Sequence, residues 1–169
     1  MSPHKTRADC IKKPPRIETH DAESVVVLSI SPTEEDHAAL KRILGRPEST
    51  PSTESKWTIY PAFALESALQ VLQGNPIAIV LSERDLVPGT WKDVLAETLN
   101  LSDPPLLIVA SRLADEHLWA EALNLGAYDV LAKPFDAEEV IRVLRSAWSY
   151  KCFNREIRNR TNMRMAAAG

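Results

Sequence analysis

Among the side chains that could do chemistry, Lys133 has the most informative setting: it follows the apolar pair Val130-Leu131 and directly precedes Pro134. A short apolar run of this kind fits a buried strand, and a lysine at its carboxyl end stands where a parallel sheet presents functional groups. Asp136 with Glu139 then reads as a capping box that opens a helix from Ala137. Other catalytic patterns are absent. No GxGxxG or GKS/GKT loop, nucleophile elbow or zinc-protease motif occurs, which disfavours a dinucleotide site, a P-loop and those hydrolase classes. His4, His20, His37 and His117 lack a Cys or carboxylate at metal spacing and read as surface residues. Cys10 and Cys152 match no metal or redox spacing and read as reduced thiols.

The elements that must position Lys133 alternate along the chain. Ser24–Ile30 is a β-branched run suited to a buried parallel strand. Ser31-Pro32-Thr33-Glu34 reads as a capping box with proline at the first helical position, and Ala38, Leu40, Ile43 and Leu44 give the helix its apolar face up to Gly45. Residues 46–56 form a loop, Trp57–Tyr60 a short strand, and Phe63, Leu65, Leu69 and Leu72 mark a helix stopped by Gly74. Ile77–Ser82 and Leu106–Ala110 are further strands, and Trp91–Leu99 and Leu113–Leu125 further helices, the latter capped by Gly126. Five strand–helix pairs in sequence predict an α/β fold with a doubly wound parallel sheet. Residues 24–150 make this body, 1–23 a disordered N-terminal arm, and 151–169 a basic C-terminal tail.

From Gly126 to Asp136 the chain resembles the last strand and helix of response-regulator receiver domains, the CheY-like family, and the alternation extends the resemblance over 24–150. It implies a flavodoxin-like receiver fold with strand order 2-1-3-4-5 and places Lys133-Pro134 in the family's lysine motif. There the lysine pairs with a phosphorylated aspartate and the bond before the proline is typically cis. The family's Mg²⁺-binding acidic pair lies after the first strand, just ahead of a proline. Pro32 aligns Ser29 and Ile30 with that pair, and neither can replace a carboxylate. Anchoring the Leu81–Gly89 loop on its glycine puts Glu83 in the phosphoacceptor position, with Asp85 as the alternative; anchoring on Pro88 would put Arg84 there. A glutamate is one methylene longer than aspartate and reaches toward Lys133 without any phosphate. The switch-hydroxyl position falls on Ala110, with Ser111 next to it, and the switch aromatic corresponds to Val130, with Tyr128 at the strand start.

The resemblance therefore implies a divergent pseudo-receiver, a phosphorelay module that is not an enzyme, holds no cofactor and works by protein–protein contact. The alternative is a working receiver that phosphorylates Glu83 or Asp85, with Mg²⁺ held by displaced acids such as Glu34 or Glu35; their bland reading is solvated first-turn acids. In this family partners dock, and copies dimerise, through the fourth and fifth helices; here Trp148, Tyr150 and Phe153 carry apolar character past the expected domain end. Trp91, Trp119 and Trp148 fall on helices and read as core or partner-face residues. Of the chain's net charge of −3, residues 151–169 carry +4, residues 1–23 carry +1 and the body −8. A basic tail admits unspecific nucleic-acid contact as a further alternative, but it is too short for a helix-turn-helix. No apolar run approaches a membrane span, and a cytoplasmic location is expected.

Overall fold

The computed structural model describes residues 23–52 and 55–168. The expected disordered arm, with His4, Cys10 and His20, lies outside them except for Glu23. The elements run β1 (Glu23–Ile30), α1 (Glu34–Leu44), a single 3-10 turn (Pro47–Ser49), β2 (Ser55–Ala62), α2 (Leu65–Gly74), β3 (Ile79–Glu83), α3 (Trp91–Leu99), β4 (Leu106–Ser111), α4 (Glu116–Leu125), β5 (Asp129–Ala132) and α5 (Ala137–Ala167). All four strand pairings are parallel, in the order β2-β1-β3-β4-β5. This is the doubly wound sheet that the alternation predicts, with the strand order that the resemblance implies.

Side chains alternate across a strand, so the sheet divides the core in two. Val26, Leu28 and Ile30 of β1, Val80 of β3, Leu107 and Val109 of β4 and Val130 of β5 pack with Trp91 and Val94 of α3 and Leu118 of α4. Val25 and Val27, Ile79 and Leu81, Ile108 and Ala110, and Leu131 face the other way, onto Leu40 and Ile43 of α1 and Val140 and Leu144 of α5. Burying each such side chain is worth about 1.5–3 kcal/mol, so both layers hold the strand ends in register. The parity decides the site. Ser29, Glu83 and Lys133 continue the strand positions that face α1 and α5, whereas Ile30 belongs to the opposite layer.

Four local expectations are corrected. Helix α1 starts at Glu34 with Thr33, which makes no side-chain cap bond, as its N-cap in place of Ser31, whose hydroxyl donates to the Asp36 carboxylate in the first turn. Ala38 is exposed, and His37 takes the buried place on that helix face. Phe63 precedes α2 rather than belonging to it, since Ala64 is the N-cap and Ser67 supplies the return bond. Helix α4 starts at Glu116, where Asp115 caps by accepting from the Leu118 N–H at 2.9 Å. Gly126 ends α4 at φ 108°, a left-handed conformation that costs a side-chain-bearing residue energy. At the other end of the molecule α5 does not break at residue 150. Residues 151–167 contain neither Gly nor Pro and continue the helix.

Candidate functional site

The carboxyl ends of β1, β3 and β5 and the first turn of α1 converge on Lys133. Its backbone is set by β5: the Lys133 N–H donates to the Ser111 carbonyl at 2.9 Å, and the Lys133–Pro134 peptide is cis. Asp136 stops the chain from continuing as strand, because its side chain caps α5 by accepting from the Glu139 N–H at 2.9 Å. The Lys133 ammonium, with a side chain only 8% exposed, pairs with two carboxylates. One is Glu83 at the end of β3. The other is Asp36 of α1, whose Oδ2 accepts from Nζ at 2.5 Å and from the Ser31 hydroxyl at 2.5 Å. Burial alone would push the Asp36 carboxyl up; hydrogen bonds from Lys133, Ser31 and Thr33 outweigh it and hold the group below its usual range.

A second polar group fills the space beside this pair. His37 is fully buried; its Nε2 lies 3.1 Å from the Ser31 carbonyl and its Nδ1 2.8 Å from the Ser29 hydroxyl. A carbonyl only accepts, so Nε2 carries the proton and Nδ1 accepts from Ser29. The ring also meets Phe63 edge-on at 4.7 Å between centroids. Burial pushes the imidazole below its ordinary range, against the bond to Ser31 and the charges of Glu34 and Asp36, which act the other way. The expectation that His37 is a surface residue is therefore wrong, whereas His117 is exposed.

The remaining strand-end residues are also placed. Ala110 pairs in register with Glu83, and Ser111 with Ala132, so no hydroxyl projects from the Ala110 position. The Ser111 hydroxyl accepts from the Leu113 N–H at 3.1 Å and so closes the turn after β4. Asp85 lies on the loop, largely exposed, paired with Arg84 at 3.2 Å. Glu34 and Glu35 are exposed in the first turn of α1 and do not enter the site. Tyr128 bonds to the Ser146 hydroxyl at 2.8 Å, on the α5 side of β5.

Sequence reasoning missed Asp36 and His37. Both lie on the buried stripe of α1, Asp36 four and seven residues before Leu40 and Ile43, His37 three and seven before Leu40 and Leu44. Two polar residues in line with an apolar stripe must find partners inside, and that was the available signal.

The residues present do not fit Mg²⁺. The ion needs near-octahedral oxygen ligation at about 2.1 Å and keeps several waters. The Ser29 hydroxyl is turned to His37, Ile30 is apolar and faces the other core layer, and both nearby carboxylates are engaged by the Lys133 ammonium, which occupies the place between them. The cavity among Ser29, Asp36, Glu83, Ala110 and Lys133 measures about 10 Å³, room for about one water. Among the described residues no cluster of three His, Cys, Asp or Glu side chains could hold a metal ion.

No protein-family model and no curated protein sequence matches the chain. Its fold is nonetheless shared with solved structures. The signal receiver domain of an HD domain-containing protein from Pseudomonas fluorescens is 25% identical with a TM-score of 0.67, over 83% of this chain and 97% of that one. A response regulator receiver domain protein from Clostridium thermocellum is 18% identical with a TM-score of 0.65, over 76% and 98%. The CheY-like receiver domain protein of Methanospirillum hungatei is 14% identical with a TM-score of 0.66, over 78% and 99%. With this strand order, this lysine–proline end to β5 and these neighbours, the chain has the receiver fold and is similar to the receiver domains of response regulators.

Proposed function

We propose that the chain is a pseudo-receiver of a two-component pathway: a cytoplasmic signalling module that acts through contact with a protein partner and does not carry Mg²⁺-dependent aspartyl phosphorylation. One observation supports this reading above others. Lys133, the residue that meets the phosphoryl group in receiver domains, is already paired with both Glu83 and Asp36 inside a nearly filled cavity. A phosphoryl group arriving there would meet two carboxylates that already share the one ammonium, a cluster of net charge −1 before its own charge is added. The partner face is assigned to α4 and α5, where Trp119, Leu123 and Tyr150 are each 40–49% exposed.

The test is incubation of the full chain with Mg²⁺ and acetyl phosphate, followed by intact-mass measurement. The expected result is no added phosphoryl group and no change in the intrinsic tryptophan fluorescence on adding beryllofluoride. Stoichiometric modification lost in Glu83→Gln or Asp85→Asn would instead establish the working receiver. Of those two acceptors, Asp85 is the accessible one.

A further inference from the structure

Helix α5 has two halves with opposite surroundings. Up to Lys151 it buries Val140, Ile141, Val143, Leu144, Ala147 and the Lys151 stem against the sheet. From Phe153 to Ala168 every residue except the half-buried Asn154 is exposed. Residues 152–167 thus project about 24 Å as helix. A lone helix of this length is marginal in water, and this one is held at its base: Lys151, Arg155 and Arg158 all reach Asp103, at 3.2, 3.2 and 3.5 Å.

Those contacts use one side of the helix. On another, Tyr150, Phe153, Ile157, Arg160 and Arg164 follow one another at spacings of three, four, three and four, which puts them in one line. The line is apolar at its start, where Phe153 is 61% exposed, and basic at its end. Among the described residues Arg160 and Arg164 pair with no carboxylate, although Glu156, the one acid after residue 150, lies one turn before Arg160 at the edge of the line. A second copy of this helix is a poor occupant. In parallel it would set Arg160 and Arg164 against themselves; antiparallel, it would set the arginines over Tyr150 and Phe153, a weak cation–π contact that brings no carboxylate to either charge.

We propose that this line is a docking surface for a helix of a partner protein whose facing stripe runs from apolar residues to carboxylates. The apolar half supplies the anchor and the arginines fix register and direction. This rests on the reading of the chain as an interaction module and names the chemistry of its partner. Phosphotransfer in the assay above would remove that reading without touching the outcome below.

The probe is a synthetic helical peptide with leucines at the facing positions of its first half and glutamates at those of its second, titrated into the full chain by calorimetry. Controls are the same peptide with lysines in place of the glutamates, an anionic vesicle of phosphatidylserine and phosphatidylcholine, and a single-stranded oligonucleotide. The glutamate peptide is expected to bind, and the lysine peptide not. Phe153→Ala with Ile157→Ala should weaken binding about tenfold or more. Arg160→Glu with Arg164→Glu should reverse the preference toward the lysine peptide. All four positions are exposed, so a helical circular-dichroism signal equal to the parent's is expected in each variant. Three results would overturn the proposal: no preference between the two peptides, vesicle or oligonucleotide binding tighter than peptide binding, or concentration-dependent dimerisation abolished by Ile157→Glu.

Discussion

The carboxyl end of the sheet and the far half of α5 treat charge in opposite ways. At the sheet, Lys133, Asp36, Glu83, His37, Ser29 and Ser31 answer one another, and among the described residues no buried side-chain polar atom lacks a partner. On α5, Arg160 and Arg164 stand in line with exposed Phe153 and Ile157 and answer to nothing in the body. A receiver-like fold that spends its strand-end charges on itself keeps its shape there but has little left to offer a ligand. The proposed recognition surface lies instead where side chains are unanswered.

Removing the hub of the first region should give the largest effect. Lys133→Met keeps a stem of similar length but leaves Asp36 and Glu83 facing each other with their side chains 15% and 16% exposed. Breaking a buried pair from one side costs about 3–5 kcal/mol, and the partial exposure argues for about 3 kcal/mol in urea denaturation at neutral pH. The peptide titration on α5 should not change. A loss below about 1 kcal/mol would mean that the two carboxylates are solvated and the site is not self-contained.

Acid should open the same region in two steps of one sign. The folded state holds both His37 and Asp36 below their ordinary values, so in each window the unfolded chain binds more protons and stability falls as pH falls. The His37 contribution is complete above 6.5 and is lost as pH drops from there toward its folded value; the Asp36 contribution follows below 3.8. His37→Gln gives up at least one of the two ring bonds, for about 1–2 kcal/mol at pH 7.5, and should flatten the first step while leaving the second. Parallel slopes for parent and variant between pH 7.5 and 5 would show that His37 is not what titrates.

How legible this was in the sequence differs between the two regions for physical reasons. Strands β1, β3 and β4 announce themselves as β-branched runs, and Gly126 marks the end of α4 by a backbone angle that few other residues adopt. Lys133 follows from a strand end alone, because a parallel sheet gathers its functional groups at one edge, whereas Glu83, with Asp85 as its alternative, needs the resemblance that anchors its loop on Gly89. Asp36 and His37 follow from neither, because the α1 stripe was traced through Ala38 by apolarity only. A strand end names its own neighbours in the sheet, but a helix facing that end adds residues that no strand pattern contains. The length of α5 was hidden differently: nothing in 151–167 breaks a helix, yet after Lys151 nothing there is buried enough to announce one.

The join between the two regions gives the smallest effect. Asp103 carries the three basic contacts that seat α5, but its side chain is 45% exposed and water screens them. Lys151 differs from its neighbours: 7% exposed, it also donates to the Pro104 carbonyl at 2.9 Å, which Asp103→Asn leaves in place. Burial pushes the Lys151 ammonium below its ordinary range and Asp103 pulls it back up, so the variant should lower it further. The global cost should be about 1 kcal/mol or less, because one desolvated ammonium loses a partly exposed counter-charge. Locally the consequence is larger. Without Asp103, Arg155 and Arg158 have no seat, so amide exchange should quicken from Phe153 onward while Val140 to Ala147 stay protected. Faster exchange through the whole of α5 would mean that the helix is one cooperative unit and that the far half depends on the core, not on Asp103.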